Sequence, residues 1–228
     1  MPVTISFCTT CRDRSEHLAR TLPANAARLA EGDERVILDY GSEVPIAPVV
    51  REFARPGIEL FRMPRTPRYR SAHSKNVAHL SATGEFLVNL DADNLLTPEY
   101  LNWLRGTVGE NGPCLVFTEA WGGGGGRVGV SREVFVALGG YDERIDGWGY
   151  DDNDLVERAR GLGCKVVKTP KKLIQFLRHD DALRGANPQA TRSHGKRLSD
   201  AAIERGELVA NAGSAWGAAP GLIHESLS

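Results

Sequence analysis

The chain has 228 residues, with 28 basic and 29 acidic side chains, a formal net charge of -1, 41% apolar residues and 25% charged residues. That length suits one domain with a full core, and the near-neutral balance gives no global field to draw it to nucleic acid or an anionic membrane. No run approaches the ~20 apolar residues that span a bilayer, and the N-terminus lacks a charged segment followed by a long apolar one. A cytoplasmic location is therefore expected, with no transmembrane segment and no nucleic-acid partner. Peripheral membrane association through local patches stays open, as does the oligomeric state.

Residues 3–8 form the first short apolar run of strand length. Cys8 and Cys11 close it as a C-x-x-C, which reads as a redox pair, half a zinc site, or two thiols at a strand end. The third reading is favoured, since no second pair of similar spacing exists. Cys114 and Cys164 open later apolar runs as small core residues. After residues 13–15, where Asp13 or Ser15 can cap a helix, Leu18, Leu22 and Leu29 mark a helical stripe. A second strand is predicted over 35–38, followed by Asp39-Tyr40-Gly41-Ser42. That sequence is either an ordinary Asp/Gly/Ser turn or a crevice in which Asp39 accepts hydrogen bonds from a nucleoside. A third strand is expected at 58–61. Ser71 to Ala78 then opens a helix with small residues, and its Lys75 and Asn76 either face a diphosphate at the helix N-terminus or are surface and cap residues.

The run 85–90 predicts a fourth strand, ending on Asp91-Ala92-Asp93. Residues i and i+2 of a strand share a face, so Asp91 and Asp93 are expected to converge on one point. Two hard oxygen ligands there suit Mg2+ or Mn2+ with diphosphate oxygens, and a solvated turn is the alternative. Thr97-Pro98-Glu99 predicts a helix start, with Thr as cap and Pro in the first turn; Leu101 and Leu104 mark its stripe. A strand is predicted at 114–117. Five glycines at 122–126 can pack no core and read as a mobile loop or a place of close ligand approach.

Gly147-Trp148-Gly149-Tyr150 precedes Asp151-Asp152-Asn153-Asp154. Three acids at a helix start can cap it and complement its dipole. A Trp between glycines beside carboxylates also suits a sugar ring. This helix is expected to stop near Gly161 and Gly163, before a strand at 164–167. After the run 173–177 comes Arg178-His179-Asp180-Asp181, where a neutral His179 can complete a metal shell. Strand and helix alternate, which predicts an α/β domain with a mostly parallel sheet, whose ligands bind beyond the carboxyl ends of the strands. We expect this domain over 1–182. An Ala-, Gly-, Ser- and Asn-rich extension over 183–228, helical from about 189 to 205, either packs on it or is partly mobile.

The order Asp39-x-Gly-Ser, Ser-Lys-Asn, Asp91-Ala92-Asp93 resembles the family-2 inverting glycosyltransferases of the Rossmann-like GT-A fold. Residues 130–143 are similar to the segment preceding their acceptor site. Residues 147–155 resemble the G-W-G-x-E-D-x-D-L signature shared with β-1,4-galactosyltransferases and chondroitin-polymerising enzymes. The resemblance covers about residues 3–180. It implies a metal-dependent hexosyltransferase that moves sugar from a UDP-sugar, leaning to UDP-galactose or UDP-N-acetylgalactosamine, to a carbohydrate or other hydroxyl-bearing acceptor. It implies that Asp39 and Thr9 contact the uracil, that Asp91 contacts the ribose side, and that Asp93 and His179 bind Mn2+ or Mg2+. Asp152 becomes the general base, with Asp151, Trp148 and Gly149 at the acceptor or sugar. Tyr40 stands where a second Asp or Asn is usual, Asp151 where Glu is usual, and the glycine run is long. The competing readings are a sugar-nucleotide nucleotidyltransferase and a non-catalytic nucleotide- or glycan-binding domain. The first is disfavoured because residues 9–14 lack the glycines of its phosphate loop. The second is disfavoured because the acids and the imidazole are all retained.

Overall fold

The β-branched and aliphatic runs become strands, and the stripes between them become helices. A computed structural model of the chain describes residues 3–119, 126–147, 149–178 and 188–227. In chain order the elements are β1 (Ile5–Cys11), α1 (Ser15–Ala26), β2 (Glu34–Asp39), α2 (Ala47–Glu52), β3 (Ile58–Arg62) and α3 (Ser71–Leu80). Next come β4 (Phe86–Asn89), β5 (Asn94–Leu95), α4 (Pro98–Asn111), β6 (Cys114–Phe117), β7 (Val128–Ser131) and α5 (Arg132–Ala137). The last are α6 (Asp151–Gly161), β8 (Lys165–Lys168), β9 (Gln175–Phe176), α7 (Pro188–Glu204) and β10 (Ile223–Glu225).

The main sheet has the order β10-β3-β2-β1-β4-β7-β6-β8, and β5 pairs with β9 in a small second sheet. The β3-β2-β1-β4 block and the β6–β8 pair are parallel. β7 runs antiparallel to both β4 and β6, and β10 is antiparallel to β3. Helices cover both faces of the central strands, so those strands are buried on both sides and read as continuous apolar runs. On one face Cys8, Val36, Leu38 and Leu87 pack with Ala78 of α3, Phe135 of α5 and Leu155 of α6. On the other, Phe7, Phe86 and Val88 meet α4, while Cys11 and Ile37 meet Leu18 and Leu22 of α1.

This alternation decides the C-x-x-C. Positions three apart on a strand point to opposite faces, so Cys8 and Cys11 lie in different core clusters. Burial pushes both thiols up, that of Cys11 to about 12. They are two inert thiols of one strand, neither a zinc half-site nor a redox pair.

Thr97 caps α4 as expected, its Oγ1 accepting from Tyr100 N at 3.1 Å. Asp13 and Ser15 do not cap α1, which has no side-chain cap. Asp13 instead has φ 55 and joins three loops. Its N–H donates to Ser42 Oγ, its Oδ1 accepts from Glu43 N at 2.7 Å, and Arg65 donates to both its oxygens. α1 stops at Ala26, so Leu29 lies beyond the helix, partly buried against the core. Past residue 188, α7 packs against α6, the Trp216 ring meets Phe135 at 5.7 Å, and β10 extends the sheet edge. No helix among the described residues is long and apolar enough to cross a membrane.

Candidate functional site

The carboxyl ends of β1, β2 and β4 lie side by side because these strands are parallel neighbours. β4 stops at Asn89, and residues 91–94 form a turn closed by the Asn94 N to Asp91 O bond at 2.9 Å. Asp91 and Asp93 therefore sit in a turn rather than on one face of a strand, which corrects the geometric basis of the expected convergence. They are neighbours all the same. Burial raises the Asp91 carboxyl above its ordinary range, Lys75 opposes that, and the Asp93 charge adds to the rise. Asn89 Nδ2 donates to Asp91 Oδ1 at 3.1 Å and to Gly126 O at 3.0 Å. Asn94 Nδ2 donates to Asp93 Oδ1 at 2.7 Å. The buried Arg127 guanidinium bonds Asn94 Oδ1 and lies over the Tyr100 ring at 4.8 Å, fixing this turn from below.

The second half of the site comes from the start of α6. Gly147 and Gly149 have φ of 101 and 89, and Tyr150 has φ 81. Left-handed backbone at two glycines and one strained Tyr turns the chain sharply into the helix. Asp151 and Asp152 do not cap α6. They meet a cation from α3: Lys75 Nζ donates to Asp151 Oδ2 at 2.8 Å and to Asp152 Oδ1 at 2.7 Å. Ser71, one turn earlier, donates to Asp151 Oδ2 at 2.8 Å. Side-chain exposure is 6% for Lys75, 3% for Asp151 and 23% for Asp152, so only Asp152 opens to the cleft.

Burial opposes the charge on Lys75, but Asp151 and Asp152 outweigh it and hold the ammonium well above its ordinary value. Burial also opposes the charge on Asp151, yet Lys75 and Ser71 keep that carboxyl below the usual range. Asp152 goes the other way: burial, with Asp151 and Asp91 nearby, pushes it to about 7 against the pull of Lys75. The two halves meet at Gly126. A methyl on its Cα would stand 3.1 Å from Asp152 Oδ2 and 3.5 Å from Asp91 Oδ2. Carboxylates from two distant segments thus face one point beyond the strand ends.

Other expected site residues have different surroundings. Asp39 is buried in its own turn, accepting from Ser42 N at 2.8 Å and Ile46 N at 3.3 Å. Thr9 is fully buried, and its hydroxyl donates to Leu90 O at 2.6 Å, bracing β1 against the Asp91 turn rather than facing the cleft. Asn76 is also fully buried: it accepts from Tyr141 N and donates to Tyr141 O and Glu143 Oε1, tying α3 to the loop before α6. Tyr40 packs in the core with its hydroxyl 2.7 Å from His73 Nδ1, which anchors α3. Gly149 stands in the turn before α6. Trp148, His179 and Gly122 to Gly125 lie outside the described residues. Sequence reasoning missed Ser71, Asn89, Arg127 and Tyr141. The Ser71–Lys75 spacing of four, which puts both on one helix face, was the available signal for the first.

The donor set suits a divalent cation in part. Asp91 and Asp93 offer hard oxygens at a point where burial, with the Asp93 charge adding to it, raises Asp91, and Mn2+ or Mg2+ completes such a shell with diphosphate and water. Among the described residues, no group of three or more His, Cys, Asp or Glu is placed to hold a metal.

The fold has clear parallels among solved structures. A mannosyltransferase from Pyrobaculum calidifontis, in complex with GDP-Man and Mn2+, superposes with TM-score 0.63 over 93% of this chain and 76% of its own, at 18% identity. Glucosyl-3-phosphoglycerate synthase from Mycobacterium tuberculosis, with Mn2+, UDP and phosphoglyceric acid, gives 0.67 over 86% and 78%, at 16% identity. The fold is that of the GT-A glycosyltransferases. The catalytic domain of Drosophila β1,4-galactosyltransferase 7, in complex with xylobiose, gives 0.58 over 87% and 79%, at 18% identity. Residues 116–180 match the family described as the N-terminal domain of galactosyltransferase. No curated protein sequence matches the chain significantly.

Proposed function

We propose that the protein is an inverting glycosyltransferase that moves a hexose or N-acetylhexosamine from a UDP-sugar to an acceptor hydroxyl, with Asp152 as general base. The observation that carries this is the meeting of Asp152 Oδ2 and Asp91 Oδ2 at Gly126, beyond the carboxyl ends of a GT-A sheet. The family match over residues 116–180 includes α6 and its acids, and it favours a galactose-type donor. The residue 147–155 signature and the family-2 assignment belong to the same reading.

In this mechanism the nucleoside lies along the Asp39 turn, beside a cavity of about 330 Å3 lined by Tyr40, Met63, Arg65, Arg70 and His73. The acceptor hydroxyl attacks the anomeric carbon from the face opposite the diphosphate. Asp152 takes its proton as the new C–O bond forms. Asp91 orients the donor, and Gly149 and Trp148 are assigned to the acceptor. Asp93 and His179 would hold Mn2+ or Mg2+, whose Lewis acidity offsets charge on the departing diphosphate. Holding both substrates in one cleft lowers the entropic barrier.

Asp152→Asn tests the assignment. It is expected to keep UDP binding, measured calorimetrically with Mn2+, and to lower sugar transfer or donor hydrolysis by about 10²–10⁴-fold. Equal rates for variant and parent would remove Asp152 from the role of base.

A further inference from the structure

An ammonium has three hydrogens to donate. Two of those of Lys75 are spent on Asp151 Oδ2 and Asp152 Oδ1. The remaining side faces the Tyr141 ring, whose centroid is 5.1 Å from Nζ, a distance at which the ring's negative face attracts a cation. The Lys75 side chain is 6% exposed. Two of its three hydrogens are committed to carboxylates and little of its surface is open, so its surroundings favour a role toward Asp151 and Asp152 over a donor contact.

The same contacts distinguish the two oxygens of Asp152. Oδ1 is held by Lys75, while Oδ2 is the one nearest Gly126 and the Asp91 side. Tyr141 is itself fixed. It is fully buried, its backbone N–H donates to Asn76 Oδ1, and its carbonyl accepts from Asn76 and Asn211. Its ring packs edge-on to His79 at 5.6 Å and to Phe135 at 6.0 Å.

Resting on the glycosyltransferase reading, we propose that Lys75 is a positioning residue: it pins Oδ1 of Asp152 so that Oδ2 alone faces the acceptor, and the Tyr141 ring holds the ammonium in place. The proton balance is simple. The acceptor O–H bond breaks, a new O–H bond forms at Oδ2, and the freed electron pair forms the C–O bond as the diphosphate leaves. Lys75 keeps its proton and its bond to Oδ1 throughout. The charged or titratable groups that face Asp152 are Lys75 from α3, Asp151 on α6, Asp91 after β4 and Tyr141 after α5.

Three variants test this: Lys75→Met, Lys75→Arg and Tyr141→Leu. Each is measured for UDP binding with Mn2+, for kcat at saturating donor, and for Asp152 titration by carboxylate 13C NMR. Lys75→Met is expected to lose about 100-fold in kcat, the scale of a misplaced reacting group, with UDP affinity unchanged and Asp152 titrating at higher pH. Lys75→Arg should recover part of each loss, and Tyr141→Leu should fall between parent and Lys75→Met. Should Lys75→Met not fold, the other two variants carry the same comparison. Weakened UDP binding with intact kcat would make Lys75 a donor ligand and overturn the proposal, as would an unmoved Asp152 titration. If the parent turns over no nucleotide sugar, the glycosyltransferase reading fails, and the titration still decides the clamp.

Discussion

Arg158 on α6 ties the helix that carries the candidate base to the loop in front of it. Its Nε donates to Asp154 Oδ2 at 2.8 Å, Nη1 to Leu138 O at 2.7 Å and Nη2 to Gly140 O at 2.8 Å. Both side chains of the ion pair are at most 1% exposed. Arg158→Met keeps most of the volume and removes all three bonds. Leu138 O retains a donor in Ala210 N, whereas Gly140 O loses the one it has here. Breaking a buried pair costs about 3–5 kcal/mol, because the partner charge is left uncompensated, and an orphaned carbonyl adds about 1 kcal/mol. The expected loss of about 4–6 kcal/mol corresponds to a Tm drop of roughly 10–20 °C for a domain of this size. Burial already raises Asp154, with Arg158 pulling it down, so the variant raises it further. A carboxyl raised in the folded state destabilises above its folded pKa and ceases to do so as pH falls through it. The deficit should therefore be smaller at pH 5 than at pH 8 in urea unfolding. Asp154→Asn/Arg158→Met should lose less than the two single variants summed. A deficit below about 1 kcal/mol, or one equal at both pH values, would refute the reasoning.

Two further outcomes follow from the same site and core. Asp152 acts as a base only when ionised, and its carboxyl is pushed up to about 7. So kcat/KM should fall about tenfold per pH unit below that point, and the residual activity of Asp152→Asn should lack this limb; an identical limb in the variant would assign it elsewhere. Arg35 on β2 is fully buried, with Nε, Nη1 and Nη2 all lacking a hydrogen-bond partner, and burial lowers its pKa to about 10. Arg35→Met should raise stability by about 1–3 kcal/mol, since it removes an uncompensated charge from the core. A fall in the urea midpoint would show that the guanidinium is stabilised after all.

The central strands were legible because a sheet covered on both faces demands apolar residues at every position. Cys8, Val36, Leu38 and Ile37 satisfy both faces at once. β7 was not legible: its four residues are few, Gly129 interrupts the two valines, and their place is set by pairing with β4 and β6. β10 was missed for a similar reason, since Ile223 is 58% exposed and presents no buried face. At the site, the acids of α6 were visible as a run, but their partner was not. Lys75 and Asp151 are 76 residues apart, and no local period records such a pairing. Tyr40 stands where a second Asp or Asn is usual in the families this sequence resembles. It works as a core residue, because its hydroxyl reaches His73 and its ring meets Tyr69.

Two adjacent aspartates share one lysine, yet their surroundings push their carboxyls in opposite directions. Burial works against the charge on both. Asp151 receives Lys75 and Ser71 on a carboxylate that is almost fully enclosed, and it stays ionised. Asp152 receives Lys75 alone and faces the charges of Asp151 and Asp91, which drives it toward neutrality. Environments that push neighbouring carboxyls apart are what assign separate roles to chemically identical groups. In the proposed mechanism Asp151 then serves as the counter-ion of the ammonium, and Asp152 as the group that gains and loses a proton. The short arm of Asp151, where the galactosyltransferase-type signature has Glu, belongs to this arrangement. A longer side chain would need room for another methylene between Ser71 and Lys75, where the Asp151 side chain is only 3% exposed, and close-packed interiors resist such additions.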